Sequence, residues 1–374
     1  MPPEVTSVDV VSFRQGENLY RDKYIPGPDR LGVRLETDAG VTGEYVVHNS
    51  LAVGQLMEVA PGLVGRNPLN RERIWSETKR SLRKWDQLGV SVVDIALWDL
   101  AGKHYDAPVH ELLGTYRERA PAYLSAGASE NERTADLPER FADRAEEALE
   151  NGFQGFKIRF SRNGMADADE RLIDAEQVIE SVHTVGERVG DEMDLMLDAT
   201  AELETYADAL AVGRACDEEG FVWYEDPMKD TGQSMHLHRK LSRELDTSIL
   251  ATELLRSGIE GHADFLANDA ADILRADPYF DTGITGAMKI AHTAESFGLD
   301  VEFHTARPEM RHCIAATRNT NYVELLTNVD ESPTHHYEEL DDDGTVPMPE
   351  GPGLGVEHDW DSIRDRAVNS YHFD

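Results

Sequence analysis

Apolar positions along the chain fall into two textures. Near the N-terminus Val5 to Val11 alternates with polar residues, and LGVRLETDAGVTGEYVV reads as two short strands around an Asp-Ala-Gly turn. Together these predict an antiparallel sheet. A helical period then takes over in Leu51 to Leu63, in Leu69 to Leu82, and in GVSVVDIALWDLAGKHY, which is expected to end near Gly102. From about Pro121 short apolar runs recur: PAYLSAG, FQGFKIRF, DLMLDA, GFVWYED, SILATE, ADILRAD, LDVEFH and YVELL. Amphipathic stretches such as ADLPERFADRAEEALENG and YADALAVGRACDEEG lie between them. Strands alternating with helices predict successive βα units and a parallel sheet, and eight strands is the number that closes a (β/α)₈ barrel. The Gly/Pro-rich tail from about Leu340 reads as a loop, with Asp341 to Asp343 a solvated turn.

Composition adds a constraint on partners. Asp and Glu number 72 against 36 Lys and Arg, a formal net charge of −36 in 374 residues, and the acid is spread along the whole chain. Such a field repels phosphate backbones, which argues against a nucleic-acid partner. Among the cations 28 are Arg and only 8 are Lys. Few lysines and many carboxylates suit a protein kept soluble in multimolar salt, where the Debye length is about 3 Å or less. A halophile's cytosol is therefore expected. No run approaches the roughly 18 apolar residues of a membrane span, and the mean hydropathy is −0.49. The N-terminus has no basic segment followed by an apolar one, so no signal peptide is read there. Cys216 and Cys313 are too few for a disulfide framework. The expectation is a cytoplasmic protein with no membrane partner. No Gly-rich phosphate loop follows the first strand, so a dinucleotide fold gains no support.

The chemistry lies in where polar residues end the apolar runs. Asp198 ends DLMLDA, Glu225 ends FVWYE and Glu253 ends SILATE, at gaps of 27 and 28 residues, one βα unit each. At the C-terminal ends of barrel strands these would point into one mouth. One such carboxylate is more often a helix cap or an ion-pair partner. Three on consecutive strands, with no thiolates or clustered histidines, form a hard oxygen set suited to Mg²⁺. Lys157 and Arg159, two apart in FKIRF, face the same side of their strand. Asp277 and His304 end strands 27 residues apart. A carboxylate beside an imidazole sets its tautomer and raises its basicity, so His304 is a candidate general base. Glu324 in YVELL would face the same site.

These residues carry a resemblance. The sequence resembles the enolase superfamily, specifically its mandelate racemase-like group with acid-sugar dehydratases. The likeness runs through LGVRLETDAGVTGEY, DIALWDLAGK, PVHELLG, YRERAPAY, FKIRF, MLDA, WYEDP, ATE, ADPYFDTGIT, EFH, RNTNYVEL and PGLGVEHDWD, in order along nearly the whole chain. It implies an N-terminal α+β capping domain over residues 1–120, a (β/α)₈-type barrel over 121–340, and a segment 341–374 packing back on the cap. It also implies Mg²⁺ held by Asp198, Glu225 and Glu253, with Lys157 holding a substrate carboxylate. Asp277 and His304 would be the dyad that handles the α-proton, and Glu324 would hydrogen-bond the enolate oxygen. Cap loops, here roughly Arg14 to Pro28 and Val47 to Val53, would shape the pocket. Arg14, Tyr20, Tyr24 and His48 are then candidates for contacts to substrate hydroxyls. A small carboxylate substrate and a homo-oligomer are implied as well.

Three departures bear on the expected reaction. The second Lys of the family's KxK is Arg159, a guanidinium that stays protonated and is a poor base. The usual Gly-Glu of strand five is Thr252–Glu253, and the usual Gly-Gly is Thr282–Gly283. Racemisation wants a base on each face of the α-carbon, whereas elimination of water needs one. The expected function is therefore Mg²⁺-dependent dehydration of an aldonate or aldarate to a 2-keto-3-deoxy acid. A racemase or epimerase is the alternative, with a non-enzymatic barrel or a barrel for a phosphorylated substrate further behind. His312 reads as either a pocket or a helix-surface residue, and His335 and His336 as loop residues.

Overall fold

The structure, a computed structural model, describes residues 2–14, 28, 30–128, 135–160, 174–228, 234–253, 255, 258–328 and 340–374. The alternating N-terminal segments form β1 (Val5–Phe13), β2 (Arg30–Thr37) and β3 (Thr42–Val47), joined antiparallel. The hairpin turns at Gly40, whose φ of 72° is the left-handed region open to glycine. The C-terminal strand Ala367–Phe373 pairs antiparallel with β1 and completes this four-stranded sheet. The expected helix at 51–63 is shorter, Val53–Val59 followed by a 3₁₀ turn at Ala60–Leu63, where Pro61 removes a donor from the ladder.

Helix Leu88–Tyr105 is buried on every side from Leu88 to Gly102, as an all-round apolar helix must be. Its few polar side chains are its joints. Asp99 accepts from the backbone N–H of Glu44 in β3 at 2.8 Å and from that of Leu354 in the tail at 2.9 Å. Asp94 accepts from the Thr285 N–H at 2.9 Å and the Thr285 hydroxyl at 2.7 Å, on helix Gly283–Phe297 of the barrel. One helix thus ties sheet, tail and barrel together.

The eight short apolar runs form β4 (Arg119–Ala128), β5 (Gly155–Phe160), β6 (Asp194–Asp198), β7 (Trp223–Glu225), β8 (Ser248–Ala251), β9 (Ile273–Ala276), β10 (Asp300–Phe303) and β11 (Val323–Asn328). They are parallel, in the order β10-β9-β8-β7-β6-β5-β4-β11, so the eighth strand returns beside the first and the sheet curls into a barrel. Among the described residues β10 and β11 share no ladder. The tail read as a loop is not one: β12 (Thr345–Pro347) pairs with β4, helix Trp360–Asp365 follows, and the last strand, β13, is the one paired with β1. Its alternation is too short and too polar to show as a pattern. Among the described residues no helix is long and apolar enough to cross a membrane.

Candidate active site

Alternate residues of each barrel strand point inward, so the interior is built in layers. The lowest is apolar, a buried cluster of Tyr123, Met196, Trp223, Leu250 and Ile273. One step toward the mouth the layer is ionic. Lys157 Nζ lies 2.6 Å from Glu225 Oε2 and 2.7 Å from Glu324 Oε1. Arg275 Nε lies 2.9 Å from Glu225 Oε1, and its Nη2 donates to Glu324 Oε2. Two cations and two anions, none more than 1% exposed, thereby close a ring. Burial of Glu324 would raise its pKa, but Arg275 and Lys157 hold it well below the usual carboxylate range. Lys157 also sits 5.3 Å over the Tyr123 ring, joining the ionic layer to the apolar one.

Above the ring is a cavity of about 120 Å³ whose wall includes Arg159, Asp198, Asp226, Glu253, His304 and Glu324. That is room for several waters, or for an ion and a small carboxylate. Left-handed, non-glycine backbone collects at this end of the strands: Thr200 (φ 48°), Asp226 (38°), Thr252 (97°) and Thr305 (67°). Such conformations cost of order 1–3 kcal/mol each and collect where side chains must be aimed. Thr252 and Thr282 (φ 63°) are the two positions where glycine is expected from the family resemblance, and the backbone angles show why glycine suits them.

On one side of the cavity His304 Nδ1 donates to Asp277 Oδ2 at 2.8 Å. A carboxylate only accepts, so Nδ1 carries a proton, and in the neutral imidazole the lone pair is then on Nε2, 3.8 Å from Glu253 Oε1. Enclosure would lower the His304 pKa, but Glu253 and Asp277 outweigh it and hold it above the ordinary value. Burial would raise Asp277, yet Arg307 and His304 hold it low. Arg307 Nη2 donates to the same Asp277 oxygen at 3.3 Å, and its Nη1 lies 2.8 Å from Nδ1 of His48, just past β3. Partial enclosure and the charges of Arg307 and Arg30 bring His48 down to about 4, so it is neutral and accepts.

The structure therefore brings Arg159, Asp198, Glu253, His304 and Glu324 to one cavity, with Asp277 behind His304. Lys157 and Glu225 lie in the ring below and do not line the cavity. His48 reaches the dyad through Arg307. Arg14 is exposed, its N–H donating to the Arg366 carbonyl at 3.4 Å, and it does not line the cavity. Tyr20 and Tyr24 lie outside the described residues, as do His335 and His336. His312 is neither a pocket nor a surface residue: it is fully buried, stacked on His110 at 5.3 Å, with Nδ1 accepting from the His110 N–H at 3.2 Å.

A Mg²⁺ ion fits the donor set by charge. Burial, with Glu225 next, pushes Asp198 up to about 7, and burial with Glu253 next pushes Asp226 well above the ordinary range. Carboxylates crowded until they hold protons are short of positive charge, and a divalent cation supplies it. As they stand, no three acidic, His or Cys side chains among the described residues close tightly enough to hold an ion. Glu225 already faces Lys157 and Arg275, so it would have to share its remaining lone pairs.

Three positions in and around this cavity escaped the reading of the sequence. Arg275 carried a signal, a charge inside an apolar strand two residues before Asp277 and hence on its inward face. Asp226 follows Glu225 and faces the cavity only because its φ is positive. Arg307 sits in a loop, and nothing local marks it.

Comparison with known proteins bears on the family and the fold. Residues 31–114 match the family described as "Mandelate racemase / muconate lactonizing enzyme, N-terminal domain" and residues 140–362 the one described as "Enolase C-terminal domain-like". The chain is 26% identical to an arabinonate dehydratase of Saccharolobus solfataricus, over 91% of this chain and 90% of that protein. It is also 26% identical to an N-succinyl-L-Arg/Lys racemase of Bacillus cereus, over 90% and 89%. The crystal structure of D-glucarate dehydratase from Agrobacterium tumefaciens, complexed with magnesium, superposes with a TM-score of 0.85 at 29% identity, covering 98% of this chain and 99% of that one.

Proposed function

This chain belongs to the enolase superfamily, with an N-terminal domain of the mandelate racemase/muconate lactonizing enzyme type, and from that premise we propose that it is a Mg²⁺-dependent sugar-acid dehydratase. The observation that carries the reading is that one base, His304 backed by Asp277, shares its cavity with a guanidinium instead of a second amine. The resemblance to arabinonate and glucarate dehydratases supports an aldonate or aldarate as substrate.

In this mechanism Nε2 of His304 takes the proton from C2, while Asp277 holds the ring and offsets the imidazolium charge that forms. Mg²⁺, held by Asp198, Glu225 and Glu253, would offset the negative charge that builds on the substrate carboxylate. The C–O bond at C3 then breaks, and the His304 proton goes to the leaving hydroxyl, which departs as water. The resulting enol tautomerises to a 2-keto-3-deoxy acid. Glu324, low in pKa and braced by Lys157 and Arg275, keeps the cavity floor charged and rigid. Residues 1–120 and 341–374 serve in this reading as the cap and its completion, on a cytoplasmic homo-oligomer.

The racemase relative favours a second reading, proton exchange at C2 without loss of water. A screen of aldonates and aldarates for a 2-oxo-acid product, trapped as its semicarbazone, separates the two. Product from any of them supports the dehydratase, and silence from all of them removes it.

A further inference from the structure

Resting on the dehydratase reading, we infer that Arg159 is the group that grips the substrate carboxylate, the role that the family resemblance gives to Lys157. The cations near the cavity differ in how far they are already engaged. Lys157 is 1% exposed and lies within 2.7 Å of two carboxylates, one on either side. Arg275 is locked to Glu225, Glu324 and the Tyr123 hydroxyl. Arg307 is held by Asp277, His48 and Glu309. Arg159 lines the cavity, and among the described residues its guanidinium makes one long hydrogen bond, Nη2 to the Thr327 carbonyl at 3.4 Å. Its Nε–H is buried with no acceptor. That one donor has left water without replacing it, and the guanidinium carries no ion pair among the described residues.

Its placement is also built. Arg159 lies opposite Gly127 in the β4–β5 ladder, and a Cβ at Gly127 would sit only 2.7 Å from the Arg159 Cζ. The missing side chain leaves room for the guanidinium to pass over Gly127 of β4 and reach Thr327 on β11. A guanidinium can offer two parallel N–H groups to a carboxylate, which an ammonium cannot do. The surrounding Asp198, Asp226, Glu253 and Glu324 repel an anion, so Arg159 is where an anionic substrate group gains most.

The test is a thermal-shift titration of the full chain, with Mg²⁺ present, against gluconate, arabinonate, glucarate and galactarate. The neutral amide of the tightest binder is titrated beside them. Arg159→Met is expected to melt normally and to bind that acid roughly 10- to 100-fold more weakly, as loss of a charge-assisted pair implies. Arg159→Lys should fall between, and the amide should bind both variants about as it binds the wild type. Gly127→Ala keeps the guanidinium but displaces it, and should also weaken the acid; with Arg159→Lys it carries the test if Arg159→Met does not fold. Equal affinity of the acid for wild type and these variants overturns the inference while leaving the dehydratase in place. If no sugar acid stabilises the wild type, the dehydratase reading fails and this inference falls with it.

Discussion

Asp277 and His304 face each other at 2.8 Å from loops that leave adjacent strands, and the imidazole donates to an oxygen that Arg307 also holds. The contact keeps a proton on Nδ1, so that in the neutral imidazole Nε2 is the basic nitrogen, directed away from Asp277. Replacing Asp277 by Asn puts an N–H where the acceptor was and favours the wrong tautomer. Asp277→Asn and His304→Asn should each lower turnover by roughly 10²–10⁴-fold with an unchanged circular dichroism spectrum. Steady-state rates check this, and undiminished turnover in His304→Asn would remove it as the base.

Arg275 bridges Glu225 and Glu324 in the fully enclosed ring. Taking this cation away leaves two buried carboxylates to share Lys157 alone, one negative charge uncompensated, which costs about 3–5 kcal/mol. Arg275→Met should therefore lose that much stability in urea unfolding. A variant as stable as the wild type would mean that the ring contributes nothing to the fold.

These two predictions differ in what the sequence revealed beforehand. The dyad was legible because Asp277 and His304 each end an apolar run, one βα unit apart. The barrel was legible for a related reason: buried parallel strands read as short continuous apolar runs with amphipathic helices between them. The ring was half legible, since Lys157, Glu225 and Glu324 were recognised but their mutual pairing was not. Side-chain direction within a barrel layer depends on register between distant strands, which spacing along the chain does not encode. β12 and β13 escaped because strands of three and seven residues in a polar tail leave too little alternation to detect.

His312 is buried neutral, its pKa brought down to about 3 mainly by burial. Its Nδ1 accepts from the His110 N–H, so a proton there would break the contact. Between its folded value and about 6.5 in the unfolded chain, the unfolded state binds more protons, so stability falls as pH falls through this window. His312→Asn keeps an acceptor and does not titrate. Its melting temperature should fall less steeply than that of the wild type as pH drops below about 6.5, and parallel curves would refute the assignment.

The charge of −36 makes a prediction about salt. Self-repulsion is screened as the Debye length shrinks from about 10 Å at 0.1 M to about 3 Å at 1 M. The melting temperature should rise steadily with KCl into the molar range. A curve flat in KCl would identify an ordinary acidic protein with no adaptation to salt.

The central claim is abstraction of the C2 proton by one base, followed by loss of the C3 hydroxyl. Proton NMR in D₂O, with Mg²⁺ and molar KCl, over pooled aldonic and aldaric acids reads both events together. The account predicts loss of the C2 proton signal with the appearance of C3-deoxy signals. Loss of the C2 proton with the C3 hydroxyl retained would contradict it and make the enzyme a racemase or epimerase.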